Sequence, residues 1–153
     1  MRIALVGNTQ TQLARLRRYL DFEAEILLDD DTRATRNAPL EVDAIMRQVP
    51  KGKLITIDDI RRCLAEKHRA TIACPITTGI FAWIAAHAAD KAEHAGQKKI
   101  TPYWRTLKTA GQLNPKYPGG IDNLVSRLRA EGHSIQQKGS RYLVPDYAQK
   151  SGV

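Results

Sequence analysis

The chain is poor in sulfur and has no long apolar run. Its 153 residues include two cysteines, Cys63 and Cys74. Two are too few for a disulfide framework and fit a reducing compartment. No apolar stretch approaches the ~20 residues that a membrane-spanning helix needs. The opening Met1-Arg2-Ile3-Ala4-Leu5-Val6-Gly7 is too short an apolar segment for a secretory signal, so a cytoplasmic protein without a membrane partner is expected. No spacing of Cys, His or carboxylate completes a zinc site. His87 and His94 lie seven apart on one helical face, but nothing joins them, so neither metal nor cofactor is expected. Internal repeats and low-complexity tracts are absent as well.

Acidic residues are scarce where the chain is longest. Residues 1–46 carry six Arg against eight Asp or Glu, whereas residues 47–153 carry eighteen Lys or Arg against eight acids. The net charge of +8 therefore comes from a basic body behind an acidic leader. A polyanion-binding domain shows this distribution, although basic charge also serves solubility.

Hydrophobic periodicity divides the chain at about residue 39. Residues 1–39 read as a short α/β addition: an apolar strand at residues 2–6, a helix with Leu13, Leu16 and Leu20 on one face, a strand near residues 24–28, and a polar linker. Gly7-Asn8-Thr9 lacks the further glycines and the lysine of a phosphate loop and reads as a turn. Residues 40–148 read as one mainly helical domain. Helices are expected at Leu40–Gln48, from a Thr56 cap to about Lys67, from a Thr77 or Thr78 cap at about Gly79 to His94, and at Ile121–Ala130 with Gly132 as its stop. Lys98-Lys99-Ile100 reads as a short strand and loop. Residues 133–144 read as a hairpin turning at Lys138-Gly139-Ser140. Helix, connection, helix and hairpin suit a winged helix-turn-helix.

The most specific segments are Thr101-Pro102-Tyr103-Trp104-Arg105, Tyr117-Pro118-Gly119-Gly120-Ile121 and Ala130-Glu131-Gly132-His133. Together they resemble the active-site strip of O6-alkylguanine-DNA alkyltransferases, which carries Pro-Cys-His-Arg, Tyr-x-Gly-Gly-Leu and a Glu-Gly pair closing a helix. Upstream, Val49-Pro50-Lys51-Gly52-Lys53-Leu54-Ile55-Thr56-Ile57-Asp58-Asp59-Ile60 is similar to that family's opening segment. The resemblance covers roughly residues 45–145. It implies a mainly α fold with a small β-hairpin, a winged helix-turn-helix of the alkyltransferase DNA-binding type.

Within that frame Tyr103 stands in the place of the acceptor cysteine and Trp104 in that of its histidine base. A phenol with a pKa near ~10 is a poor substitute for a thiolate in accepting an alkyl group. The resemblance is thus nearest to the non-catalytic alkyltransferase-like proteins, which bind alkylated guanine and flag it for repair. It implies no catalytic residue, and a lesion pocket of Pro102, Tyr103, Trp104, Arg105, Tyr117, Gly119, Gly120 and Glu131. Tyr103, Trp104 and Tyr117 are expected to line one concave site, with Arg105 behind it bracing the loop. Glu131, 28 residues after Tyr103, matches the glutamate of the family's proton relay. With Trp104 in the histidine place it has no base to orient, and a structural hydrogen bond is expected of it. Read alone, these aromatics are ordinary core packing and Glu131 an ordinary helix-end residue.

Lys51, Lys53, Arg61, Arg62, Lys98, Lys99 and Lys108 are the candidate contacts to the DNA backbone, with Lys67 and Arg69 beside the first cluster. The family's flipping tyrosine aligns with Ile57, and its arginine finger falls near Gly79, in a stretch from Ile72 to Asp90 without Lys or Arg. The expected partners are double-stranded DNA, including duplex with O6-alkylguanine, and other repair proteins. The expected function is non-catalytic binding of alkylated or otherwise damaged bases. One alternative is an alkyltransferase using an unconventional acceptor such as Cys74, although a buried free cysteine is the commoner case. Another is a winged-helix regulatory or interaction module.

The charge division has a measurable consequence. If the body neutralises about four to six phosphates, log affinity against log salt should fall with a slope of roughly −4 to −5. A variant lacking residues 1–40 should bind DNA as tightly as the full chain or more tightly. A strong loss of affinity in a variant that still folds would reject the division.

Overall fold

The computed structural model describes residues 38–68 and 75–153. The readings made on residues 1–37, Arg69 and Cys74 lie outside the described residues. Those described form α1 (Ala38–Gln48), β1 (Ile55–Thr56), α2 (Ile57–His68), α3 (Pro75–His94), β2 (Thr106–Leu107), α4 (Gly120–Ala130), β3 (Gln136–Lys138) and β4 (Arg141–Leu143). Among them, no helix is long and apolar enough to cross a membrane.

Local signals set most helix ends. At the start of α2, the Thr56 hydroxyl oxygen accepts from the Asp59 N–H at 3.1 Å. The Asp59 carboxylate in turn accepts from the Thr56 N–H at 3.0 Å and its hydroxyl at 2.9 Å. This reciprocal cap is a capping box with aspartate in the usual glutamate place. α4 stops at Gly132, whose φ of +87° is accessible to glycine at little cost. There the His133 N–H donates to the Leu128 carbonyl and the Gly132 N–H to that of Arg129, each at 3.0 Å, the Schellman arrangement.

Two boundaries differ from expectation. α3 begins at Pro75, ahead of both threonines offered as caps. A first-turn proline has no N–H to leave unsatisfied and its φ is already helical. Thr78 is instead buried inside the helix. Lys98–Ile100 forms no strand; the strand lies six residues later, at Thr106–Leu107.

The core joins Val42 and Met46 of α1, Ile60 and Leu64 of α2, Leu124 and Leu128 of α4, and the apolar side of α3. Ala82, Ala85, Ala86 and Ala89 recur at helical spacing on α3, so α1 packs closely against it. Each large side chain removed from water contributes about 1.5–3 kcal/mol. β1 and β2 pair in parallel, Ile55 with Thr106 and Thr56 with Leu107. This pairing sets the 101–105 strip beside the start of α2. β3 and β4 form an antiparallel hairpin, Gln136 opposite Leu143, in the region expected for it. The hairpin is anchored where the Leu113 N–H donates to the Tyr142 carbonyl at 2.8 Å and the Val144 N–H to that of Gly111 at 3.0 Å.

The capping box is directly testable. Thr56→Ala removes one side of it and should cost about 1 kcal/mol of stability, read as a lower midpoint in urea with an unchanged slope. An unchanged midpoint would mean that the cap contributes nothing.

Candidate functional site

The strip is shaped by its own backbone. Pro102, at φ −77° and ψ 70°, is the centre of an inverse γ-turn, closed by the Tyr103 N–H donating to the Thr101 carbonyl at 2.8 Å. A 3-10 turn over Tyr103–Arg105 follows. The Thr101 hydroxyl donates to Asp43 at 2.6 Å, which ties the strip to α1. Proline thus turns the chain, and the next three side chains leave it in different directions.

Arg105 and Glu131 form the centre. Arg105 Nη2 lies 2.7 Å from Glu131 Oε1, and its Nε lies 3.0 and 3.1 Å from the two carboxylate oxygens. Arg105 Nη1 donates to the Val49 carbonyl at 2.7 Å. Glu131 also accepts from Trp104 Nε1 at 2.9 Å and from the Gly52 N–H at 3.3 Å. Side-chain exposure is 14% for Arg105 and 7% for Glu131, so this pair is largely withdrawn from water. Burial alone would raise the Glu131 pKa, but the Arg105, Trp104 and Gly52 hydrogen bonds and the Arg105 charge outweigh it and hold it below the usual range. The Val49–Gly52 turn, the strip and the end of α4 therefore meet on one carboxylate.

Tyr103 and Tyr117 do not line an open site. Their exposures are 0% and 3%, and their rings pack edge to face with centroids 6.2 Å apart. Asn123 Nδ2 donates to the Tyr103 hydroxyl at 3.0 Å and to the Pro118 carbonyl at 2.9 Å. The physical reason is that both rings gain more from the core than a water-facing wall offers, while Asn123 satisfies the Tyr103 hydroxyl within it. Burial raises the Tyr103 pKa, opposed by the Asn123 hydrogen bond and the Arg127 charge. Burial likewise raises that of Tyr117, against a hydrogen bond with Asn114. Both are neutral phenols at physiological pH.

Trp104 alone of the three is partly exposed. Its ring centre lies 5.5 Å from the Arg105 guanidinium carbon and 4.6 Å from that of Arg127, while Tyr103 meets it edge-on at 5.4 Å. Gly119 and Gly120 have φ of +74° and +65°. A Cβ on Gly119 would stand 2.5 Å from that of Asn123, so glycine lets Asn123 reach Tyr103.

Nothing in the sequence pattern had pointed to Asn123 or Arg127. Their i, i+4 spacing on α4 beside the Gly-Gly turn was the available signal. Arg127 Nε donates to Asn123 Oδ1 at 3.0 Å, and its Nη atoms reach Glu93 at 2.6 and 3.3 Å.

Of the cations expected to meet DNA, Arg61 pairs with Asp58 at 3.0 Å and Arg62 with Asp59 at 2.8 Å. Lys67 lies 3.4 Å from Glu41. That cluster is partly neutralised by its own acids. Lys51, Lys53, Lys98, Lys99 and Lys108 are exposed and make no ion pair among the described residues. Lys51 and Lys53 flank Gly52, whose N–H is held by Glu131. Ile57 opens α2, partly buried against the core, and Gly79 has open space where a side chain would project. His87 Nε2 is 3.2 Å from the Lys116 carbonyl and His94 Nδ1 is 2.8 Å from that of Asp90. Cys63 is partly buried on α2, and burial pushes its thiol pKa up, away from a reactive thiolate.

The depressed Glu131 pKa fixes a pH dependence. Its carboxylate contributes stability fully present above the unfolded value near 4.5 and lost as pH falls through the lower folded value. Glu131→Gln should cost about 3 kcal/mol at pH 7, because Arg105 is left buried without its counter-charge. The gap from wild type in urea denaturation should narrow once pH drops below about 4.5. A gap of constant size down to pH ~3 would contradict the ion-pair account.

No protein-family model matches the chain, and no curated protein matches it by sequence. Among solved structures, the fold is similar to that of S. pombe Atl1, crystallised in complex with damaged DNA containing O6-carboxymethylguanine, at a TM-score of 0.52 and 17% identity over 75% of this chain and 94% of that one. Atl1 is an alkyltransferase-like protein, and the resemblance read from the 101–105, 117–121 and 130–133 segments extends to the fold: this chain shares its architecture with an alkyltransferase-like protein.

Proposed function

We propose that this protein binds double-stranded DNA without altering it and recognises alkylated or otherwise damaged bases for other repair proteins. The observation that carries the reading is what occupies the reaction centre. Tyr103 is a buried neutral phenol, and the Glu131 carboxylate is taken up by Trp104, Arg105 and Gly52. Neither a thiolate nor a base to make one is present in the strip, and alkyl transfer needs both. The fold is meanwhile that of a protein crystallised on damaged DNA.

In this reading residues 40–148 are the DNA-binding domain, α2 and α3 are the helix-turn-helix pair, and the β3–β4 hairpin is the wing. Residues 1–39 are an addition outside it. Lys51, Lys53, Lys98, Lys99 and Lys108 supply phosphate contacts, with Arg61 and Arg62 contributing less because Asp58 and Asp59 already hold them. Pro102, Tyr103, Trp104, Arg105, Tyr117, Gly119, Gly120 and Glu131 build the lesion site. Tyr103 and Tyr117 act there as its scaffold and Trp104 as its partly open member. The lack of an open face on Tyr103 and Tyr117 favours one competing reading, a regulatory module with no base site.

Titration of the chain against duplexes identical except for one O6-alkylguanine separates these readings. Damage recognition predicts a preference for the lesion duplex of about 1–3 kcal/mol and an unchanged intact mass of the protein afterwards. An alkyl adduct on the protein would establish an enzyme instead, and equal affinity for both duplexes would establish the module.

A further inference from the structure

Arg127 lies outside the strip, yet it covers it. Its guanidinium carbon is 4.6 Å from the Trp104 ring centre and 5.6 Å from that of Tyr103. Asn123 and Glu93 fix it there through bonds of 3.0, 2.6 and 3.3 Å. Trp104 meets the Arg105 guanidinium as well, so its ring is already flanked by two cations of the protein itself. A base entering this site would find Tyr103 and Tyr117 buried and Trp104 only partly exposed beside two guanidinium groups. It would find Arg127, whose side chain is 26% exposed.

We infer that the Arg127 guanidinium, backed by Trp104, is the surface on which this protein stacks an unpaired nucleobase. The inference rests on the base-recognition reading above and names the residue that carries it. A guanidinium is planar and weakly hydrated, so one side can lie on an indole while the other takes a base. Its orientation is set before any ligand arrives, because Asn123 holds Nε and Glu93 holds both Nη atoms; little freedom is lost on binding. Pairing with Glu93 also offsets its charge, which leaves its flat face as the better asset and a bare phosphate as the poorer ligand.

The test compares charge with shape. The full chain is titrated with labelled duplexes that differ only by one O6-methylguanine, as wild type, Arg127→Lys and Arg127→Ala. Lysine keeps the charge and loses the plane. Both variants should weaken lesion binding about fivefold or more, the loss of one stacking contact, and change undamaged binding by less than about twofold. If lysine restores what alanine loses, or if both duplexes weaken alike, Arg127 is a phosphate contact and the inference is overturned. Unchanged lesion affinity in both variants overturns it equally. Should the alanine variant fail to fold, the lysine variant decides alone. A wild-type chain without lesion preference removes the base-recognition reading and this inference together, whereas a preference that survives Arg127→Lys removes only the inference.

Discussion

A single carboxylate holds three parts of this protein together. Glu131 sits at the end of α4, Arg105 follows the proline-turned strip, and Gly52 lies 79 residues before Glu131 in the chain. Placing a carboxylate and a guanidinium out of water costs several kcal/mol for each ion, and only a fully hydrogen-bonded arrangement recovers it. Here Arg105 engages both carboxylate oxygens, and Trp104 and Gly52 add a donor to one each. Arg105 also reaches back to the Val49 carbonyl. The interaction is therefore a three-way joint rather than a surface ornament. Removing either partner leaves a buried charge unpaired and takes away one of the two side-chain bonds that this pair makes to the 49–53 turn.

That joint also fixes what the Glu131 carboxylate can do. A glutamate that orients a base must have an oxygen to spare for it. In this chain the carboxylate is committed to an arginine, an indole and a backbone amide. The Tyr103 phenol is committed too, as a buried ring whose hydroxyl is held by Asn123. Tyr103 and Trp104 serve here as packing around the buried ion pair. Tyr103 packs edge to face against both Trp104 and Tyr117, and Arg127 lies over Tyr103 and Trp104.

What was legible in the sequence was local. Thr56 and Asp59 announced the start of α2 because a cap is made within four residues, and Gly132 announced the end of α4 because only its own φ matters. The hairpin was legible for the same reason. The resemblance carried by Pro102–Arg105, the Gly119-Gly120 turn and Glu131 extends to the architecture because these are the positions where the backbone turns. Long-range choices were not legible. The parallel pairing of Ile55 with Thr106 joins segments with no periodicity of their own, so the sequence pattern places the strand at Lys98–Ile100 instead. The burial of Tyr103 depends on Asn123, which is marked only by its i, i+4 spacing from Arg127 beside the Gly-Gly turn. Arg127 looked like any basic residue near a helix end, where the macrodipole favours cations.

The same non-local effects redistribute the charge. Counted along the chain, α2 and its flank are a basic cluster and a natural place for phosphates. In three dimensions Asp58, Asp59 and Glu41 stand against Arg61, Arg62 and Lys67, and exposed pairs of this kind contribute little to stability, about 0–1 kcal/mol each. Their larger effect is on the field: a cation already beside a carboxylate offers a phosphate less attraction. Among the described residues, exposed lysines without such partners include Lys51 and Lys53 on the 50–53 turn, Lys98 and Lys99 after α3, Lys108 after β2, Lys116 before α4 and Lys138 on β3. The Glu131 joint fixes the 50–53 turn directly and includes Trp104 and Arg105 of the strip, which leads on to Lys108. The buried ion pair thus positions part of the exposed positive charge, that of the 50–53 turn, while the acids of α2 offset the cations beside them.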